Sequence, residues 1–249
     1  MTAFLKTKAI VVNSIRWKES SKIVTIYSEE FGRIKLIARG ALRKGNSLAG
    51  KIETFFLIEA VLDIKKNRTL NLIKEADVLD TYPEIRLNMK LFPFGFSLIE
   101  VLNQVLEETN SDPIFFNFVL VMINTLKISK SPEVILIYFL LKLSSYLGFK
   151  PFLEKCESGD VNQCTSKVLL SMSNGRVSCK NCAVNSIHPI AMERGQFFFL
   201  KRLQQVNHHR IKNHEDFRSD FFQIIKILLR YINFHLDKEI KIKSLQLLD

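Results

Sequence analysis

Four cysteines, Cys156, Cys164, Cys179 and Cys182, are the only ones in the 249-residue chain, and all lie within one 27-residue polar stretch. Cys179-Lys180-Asn181-Cys182 has the two-residue gap with which two thiolates grip a single zinc ion. Cys156 and Cys164 are seven residues apart and need a looped connection to reach the same metal. Four sulfurs make a closed, structural site. A catalytic zinc keeps an open position and needs a carboxylate or histidine placed to move protons, and the chain shows no such set. The zinc deaminase pattern, for example, asks for a proline before its Cys-x-x-Cys, and Ser178 stands there. The alternative is a pair of disulfides or four unlinked thiols. Lysines at positions 6 and 8 interrupt the start of the chain where the apolar core of a secretory signal would begin. A cytoplasmic location is therefore expected, and a reducing compartment favours metal over cross-links. His188 is a reserve ligand.

The cysteines need elements to deliver them. Val168 to Met172, then Ser173-Asn174-Gly175, then Arg176-Val177-Ser178 reads as two short strands joined by an Asn-Gly turn, a hairpin that ends at Cys179. Upstream of this segment the chain changes period. From Lys8 to about Leu79 it reads as strands and tight turns, and from Tyr82 onward as Leu- and Phe-rich helix. Five strands are predicted, at 8–17, 22–30, 33–41, 51–62 and 69–79, and such a set suits a small closed barrel of the OB-fold type. The expected class is α+β: an N-terminal five-stranded OB-fold β-barrel over 1–81, a helical domain in two parts (82–150 and 187–249), and an inserted four-cysteine zinc knuckle over 151–186.

The formal net charge of +11 points to a polyanionic partner. In the third strand Ile34, Leu36 and Ala38 alternate with Arg33, Lys35 and Arg39, so a period of two sends the apolar set inward and the cations outward. Arg43 and Lys44 follow in a loop of small residues, and Lys51 opens the next predicted strand. Between Phe31 and Ile52 there are six Lys or Arg and no acid. Side chains of this kind neutralise phosphates and release counterions. The other reading is a charged edge strand that merely resists aggregation. Arg16 and Lys18 flank Trp17, which with Tyr27 and Phe31 is a candidate for stacking on exposed bases. No helix-turn-helix or tandem finger supports sequence-specific readout.

Helices are predicted at 84–109 with a possible break at Pro93, then 113–127, 132–147, 188–204 and 215–236. Asp112-Pro113 and Ser131-Pro132 supply N-caps with proline in the first turn, and Gly148 with Pro151 supplies a stop. The longest apolar run, Val134 to Leu141, is too short to span a bilayer. Phe92, Phe94, Phe96, Phe115, Phe116, Phe118, Phe197, Phe198 and Phe199 are more aromatic rings than a bundle of this size readily hides. An exposed apolar groove rimmed by Lys201, Arg202 and Arg210 is therefore expected, suited to an acidic peptide with a hydrophobic tip. His208, His209 and His214 read as surface residues.

The order of these parts resembles the bacterial recombination mediator family RecO. The residues that carry the likeness are Ala9-Ile10-Val11-Val12, Lys18 to Thr25, Tyr27 to Gly32, Ala38-Arg39-Gly40-Ala41, the Leu147-Gly148-Phe149-Lys150-Pro151 corner ahead of the cysteines, and Tyr231 to Leu248 with His235 and Ser244-Leu245. Cys156 and Cys164 depart from the pattern, since many members have two residues in that gap. The resemblance implies a non-enzymatic DNA repair protein that binds single- and double-stranded DNA through its barrel and anneals complementary strands. It also implies work with RecR and loading of RecA on DNA coated with single-strand-binding protein, whose acidic C-terminal tail the family recognises. Arg33, Lys35, Arg39, Arg43 and Lys44 occupy the matching barrel region. A zinc-containing RNA-binding, transcription or translation factor with a basic barrel is the alternative.

Overall fold

The computed structural model describes residues 4–65, 71–108, 110–156, 167–179, 189–214 and 220–248. Five strands open the chain: β1 (Phe4–Trp17), β2 (Ser21–Ser28), β3 (Gly32–Ala38), β4 (Leu57–Asp63) and β5 (Asn71–Asp80). They close in the order β1-β2-β3-β5-β4, with β3 and β5 parallel and the other neighbours antiparallel. Alternation along each strand sends Val11, Val24, Ile26, Ile34, Leu36, Ile58 and Ala60 into a common core.

The fourth strand is shorter than the predicted 51–62. Residues 51–56 form turns instead, because Phe55 takes a left-handed φ of 76° and its amide, with the Phe56 carbonyl, makes a two-bond bridge to Val11. Leu48, Ile52 and Phe56 thereby enter the barrel core from the loop.

The predicted helix 84–109 is two helices, α1 (Pro83–Arg86) and α2 (Phe92–Val105). Pro93 lies in the first turn of α2, where its missing N–H costs nothing. α3 (Pro113–Leu126) starts as expected, with the Asp112 carboxylate accepting the Phe115 amide at 2.9 Å. The barrel, α1 to α3 and the C-terminal residues 241–249 make one compact unit; residues 128–240 make the other.

In the second unit α4 (Pro132–Tyr146) is its centre. Every residue from Val134 to Leu141 is buried, the pattern of a helix surrounded on all sides. No helix among the described residues is long and apolar enough to cross a membrane. β6 (Phe152–Cys156), β7 (Val168–Leu170), β8 (Arg176–Cys179) and β9 (Ile190–Met192) form a sheet in the order β6-β8-β7-β9. The Asn-Gly hairpin is present between β7 and β8. Gly175 takes φ +67° and the Asn174 side chain accepts the Arg176 amide at 2.9 Å.

The predicted helix 188–204 begins later, as α5 (Arg194–Gln205), because residues 190–192 pair with β7 first. Glu193 and Gln196 then form a reciprocal capping box. α6 (Phe221–Leu236) buries Ile224, Ile225, Leu228 and Ile232 and packs on α4.

Candidate nucleic-acid interface

The outer face of β1, β2 and β3 is divided in two. Towards one end helices cover it: Ile10, Val12, Thr25 and Tyr27 are buried, and the Tyr27 ring meets Phe116 and Phe115 of α3 at centroid distances of 5.5 and 6.4 Å. Arg33 lies at this covered end. Its guanidinium donates to Asn103 Oδ1 at 3.4 Å and pairs with Glu108 at 3.3 Å. Towards the β1–β2 hairpin the face is open, and the cations there point to solvent.

On the open half, β3 behaves as its alternation predicts, with Ile34, Leu36 and Ala38 buried and Lys35 exposed. Trp17, Lys18, Ile37, Arg39, Arg43 and Asn46 line one concavity of about 520 Å³. Its walls come from the β1–β2 hairpin and the loop after β3, which are bonded to each other. The Leu42 amide donates to the Ser20 carbonyl at 2.9 Å, and the Gly40 amide to Ser21 Oγ at 3.3 Å.

Within the loop, Asn46 accepts the Leu48 amide at 2.9 Å and donates to the Arg39 carbonyl at 3.4 Å, while Ala41 and Leu48 are anchored in the barrel core. The loop that carries Arg39, Arg43 and Lys44 is thus held before any ligand arrives. Gly40 makes its turn with φ +68°, a conformation natural to glycine.

The eight expected nucleic-acid residues do not act as one set. Lys18, Arg39 and Arg43 meet in the concavity, Lys35 lies on the adjoining open strand, and Arg16 and Lys44 are exposed without lining it. Arg33 and Lys51 are already paired with acids, Lys51 with Asp77 at 3.3 Å. Of the three aromatic candidates Tyr27 is buried and Phe31 packs against the barrel core, which leaves Trp17. The Lys18 ammonium sits over its indole, 4.3 Å from the ring centroid. Ser20, Ser21 and Asn46, which fix the loop, are not among the site residues expected from the sequence. Their signal was present as small polar residues at turn positions.

In the second unit Cys156 and Cys179 converge at the ends of β6 and β8. Both are buried, and the Cys179 amide donates to Cys156 Sγ at 3.3 Å. Two buried cysteines brought together in this way offer donors of the kind that a sulfur-ligated zinc site uses. Cys164, Cys182 and His188 lie outside the described residues. Among the described residues no group of three metal-ligating side chains forms.

Among the described residues no apolar groove is seen beside Lys201, Arg202 and Arg210, and none of the nine phenylalanines named for it is exposed. The helical period turns Phe197, Phe199, Leu200 and Leu203 of α5 inward, and Phe94, Phe115 and Phe116 are buried likewise. Lys201 spends its ammonium on the Glu154 carbonyl, at 3.0 Å. Arg202 and Arg210 do share a concavity of about 580 Å³, but its lining of Gln205, Val206, Asn207 and His209 is mostly polar.

Two family models match this chain, described as Recombination protein O N terminal over residues 1–82 and Recombination protein O C terminal over residues 93–246. Among the curated relatives, "DNA repair protein RecO" of Chlorobium limicola is 26% identical over 244 residues, covering 94% of this chain and 93% of that protein. The protein of the same name from Caldicellulosiruptor bescii is 27% identical over 249 residues, covering 96% of each. That of Prosthecochloris aestuarii is 33% identical over 153 residues, covering 61% of this chain and 58% of that protein. With both models matched in order, and the second alone spanning more than half of the residues, the chain belongs to the RecO family of recombination proteins.

Proposed function

We propose that this protein is a non-enzymatic recombination mediator in DNA repair, whose barrel is an OB-fold that binds DNA by its sugar-phosphate backbone. The observation that carries this reading is the cluster of Lys18, Lys35, Arg39 and Arg43 on the open half of the barrel face, in a chain of the RecO family. Two complementary strands repel through their phosphates. A surface that neutralises phosphate on both lowers the cost of their encounter, and no bond needs to be made or broken.

In this reading the protein binds single- and double-stranded DNA, anneals complementary strands, and acts with RecR to load RecA on DNA coated with single-strand-binding protein. The acidic tail of the coating protein finds complementary charge in the concavity of Arg202 and Arg210. One zinc ion held by Cys156, Cys164, Cys179 and Cys182 ties the inserted segment together as a structural crosslink. Convergence of Cys156 and Cys179 supports the metal.

The test is annealing of complementary strands coated with single-strand-binding protein, by the intact protein and by a Lys35→Glu, Arg39→Glu, Arg43→Glu variant. The variant should lose annealing and DNA affinity with an unchanged melting temperature. Annealing as fast as that of the unaltered protein overturns the reading. Preference for RNA over DNA of the same sequence favours the alternative of an RNA-binding factor.

A further inference from the structure

The helix α2 is apolar except for one stripe. Ser97, Glu100 and Gln104 recur at i, i+3 and i+7 on a single face, and Glu100 is the only charged residue of the helix. All three are engaged by the C-terminal segment. The Gln104 carboxamide accepts the Lys241 amide at 3.0 Å and donates to the Lys241 carbonyl at 2.9 Å, the paired bonds that a neighbouring strand would make. The Glu100 carboxylate accepts the amide and the hydroxyl of Ser244, at 3.2 and 3.1 Å, and that hydroxyl lies 3.0 Å from the one on Ser97.

These contacts come from a strap that returns from the second unit. Past α6 the chain turns at Asp237, with φ 47°, and Ile240, the last residue of the second unit, is buried with its amide on Asn233 Oδ1 at 3.1 Å. The next residue, Lys241, already belongs to the first unit, and Ser244–Leu248 form a 3₁₀ helix against α2. The second unit is thus an insert in the first, joined to it at Lys127-Ile128 and at Ile240-Lys241.

What holds the strap is polar. Between Lys241 and Leu248 only Ser244 is buried, while Lys241, Lys243, Gln246 and Leu247 are exposed, Leu247 by 67%. Segments that bury little apolar area open locally at free energies well below that of global unfolding. The hydrogen bonds add only modestly, because water replaces each one when the strap lifts. Glu100 and Gln104 are half-buried even under the strap, so both are placed to hydrate once it leaves.

We propose that residues 241–248 are a detachable clasp, which lifts from α2 as one piece while both units stay folded. Shut, it fixes the second end of the insert. Open, it leaves the insert anchored only at Lys127-Ile128. A partner that prefers one of these states shifts the balance between them. The clasp does not depend on the DNA-binding reading above and goes beyond it.

Hydrogen exchange of the intact protein, read at single amides, tests the clasp. The Lys241 and Ser244 amides should exchange about a hundredfold or more faster than those of Val101 and Leu102 in α2. Glu100→Ala should speed the Ser244 amide by about a further tenfold and leave the α2 and barrel amides unchanged. Glu100→Gln keeps an acceptor oxygen and should restore most of the protection. A chain ended at Ile240 should fold with α2 still protected, and should bind a peptide of residues 241–249 added in trans.

Strap amides that exchange no faster than those of α2 overturn the proposal, since the segment then opens only with the whole unit. Glu100→Ala that speeds α2 together with the strap does the same. So does a chain ended at Ile240 that fails to fold or that ignores the peptide.

Discussion

Arg33 is bound to Glu108, Nη1 to Oε1 at 3.3 Å, and a second bond to Asn103 ties the same guanidinium to α2. The first cation of the positive strand is thus a fastener between β3 and the helical layer over it. Two residues on, Lys35 points to solvent. Neighbouring positions on one face of one strand carry different duties because the helices end between them.

The two duties separate by mutation. Arg33→Gln should lower stability by about 0.5–1 kcal/mol, since the pair is partly exposed, while DNA affinity changes little. Arg39→Glu with Arg43→Glu should leave the melting temperature in place. It should also reduce the slope of log affinity against log salt by about two, as two phosphate contacts are lost. Salt titrations and thermal melts of both variants check this.

Gly32, the first residue of β3, takes φ +61°, and a Cβ there would run into the backbone of Asn110. Gly32→Ala should destabilise the first unit by roughly 2–4 kcal/mol, the sum of the left-handed backbone penalty and steric displacement. Gly45 has a similar φ of +82° but open space around it, so Gly45→Ala should cost only about 1 kcal/mol. Denaturant titration of the two variants gives the comparison.

His235 stacks on Phe149 at 4.6 Å with the rings nearly parallel and meets Tyr231 edge-on; its buried Nε2 has no hydrogen-bond partner among the described residues. Burial holds its pKa below the ordinary histidine value, the nearby Met172 backbone opposing this more weakly. The folded state therefore takes up the proton less readily than the unfolded chain. The contribution of His235 is fully present above the unfolded value of about 6.5 and is lost as pH falls through the depressed folded value. Melting temperature should fall between neutral pH and about pH 5, and His235→Phe should flatten that dependence.

The buried Cys156 and Cys179 predict metal-dependent stability in the second unit. Native mass spectrometry should find about one zinc per chain. Strong chelation, Cys156→Ser or Cys179→Ser should each release it and lower the melting temperature. DNA binding by the barrel should persist. A chain that melts identically with and without chelator would leave the cysteines as ordinary buried thiols.

Much of the fold is written in local patterns. The strands of the barrel follow from apolar alternation, α3 from Asp112-Pro113, and the β7–β8 hairpin from Asn174-Gly175, since each of these depends on residues a few positions apart. The failures have one origin. Residues 51–56 are rich enough in β-formers to read as strand, but Phe55 and Phe56 bond Val11, forty-odd positions earlier in the chain. Residues 190–192 read as helix, yet β7 offers them a sheet edge.

What the sequence determined by itself was the sign of the surface and the faces of its elements: six cations without an acid between Phe31 and Ile52, and inward apolar residues at period two. Only the tertiary structure decided which of those cations are available, and that Glu100 and Gln104 hold Ser244 and Lys241. Periodicity assigns a side chain to a face. Whether that face is then covered by a helix, paired with an acid or left open depends on contacts between residues far apart in the chain, and no local pattern records them.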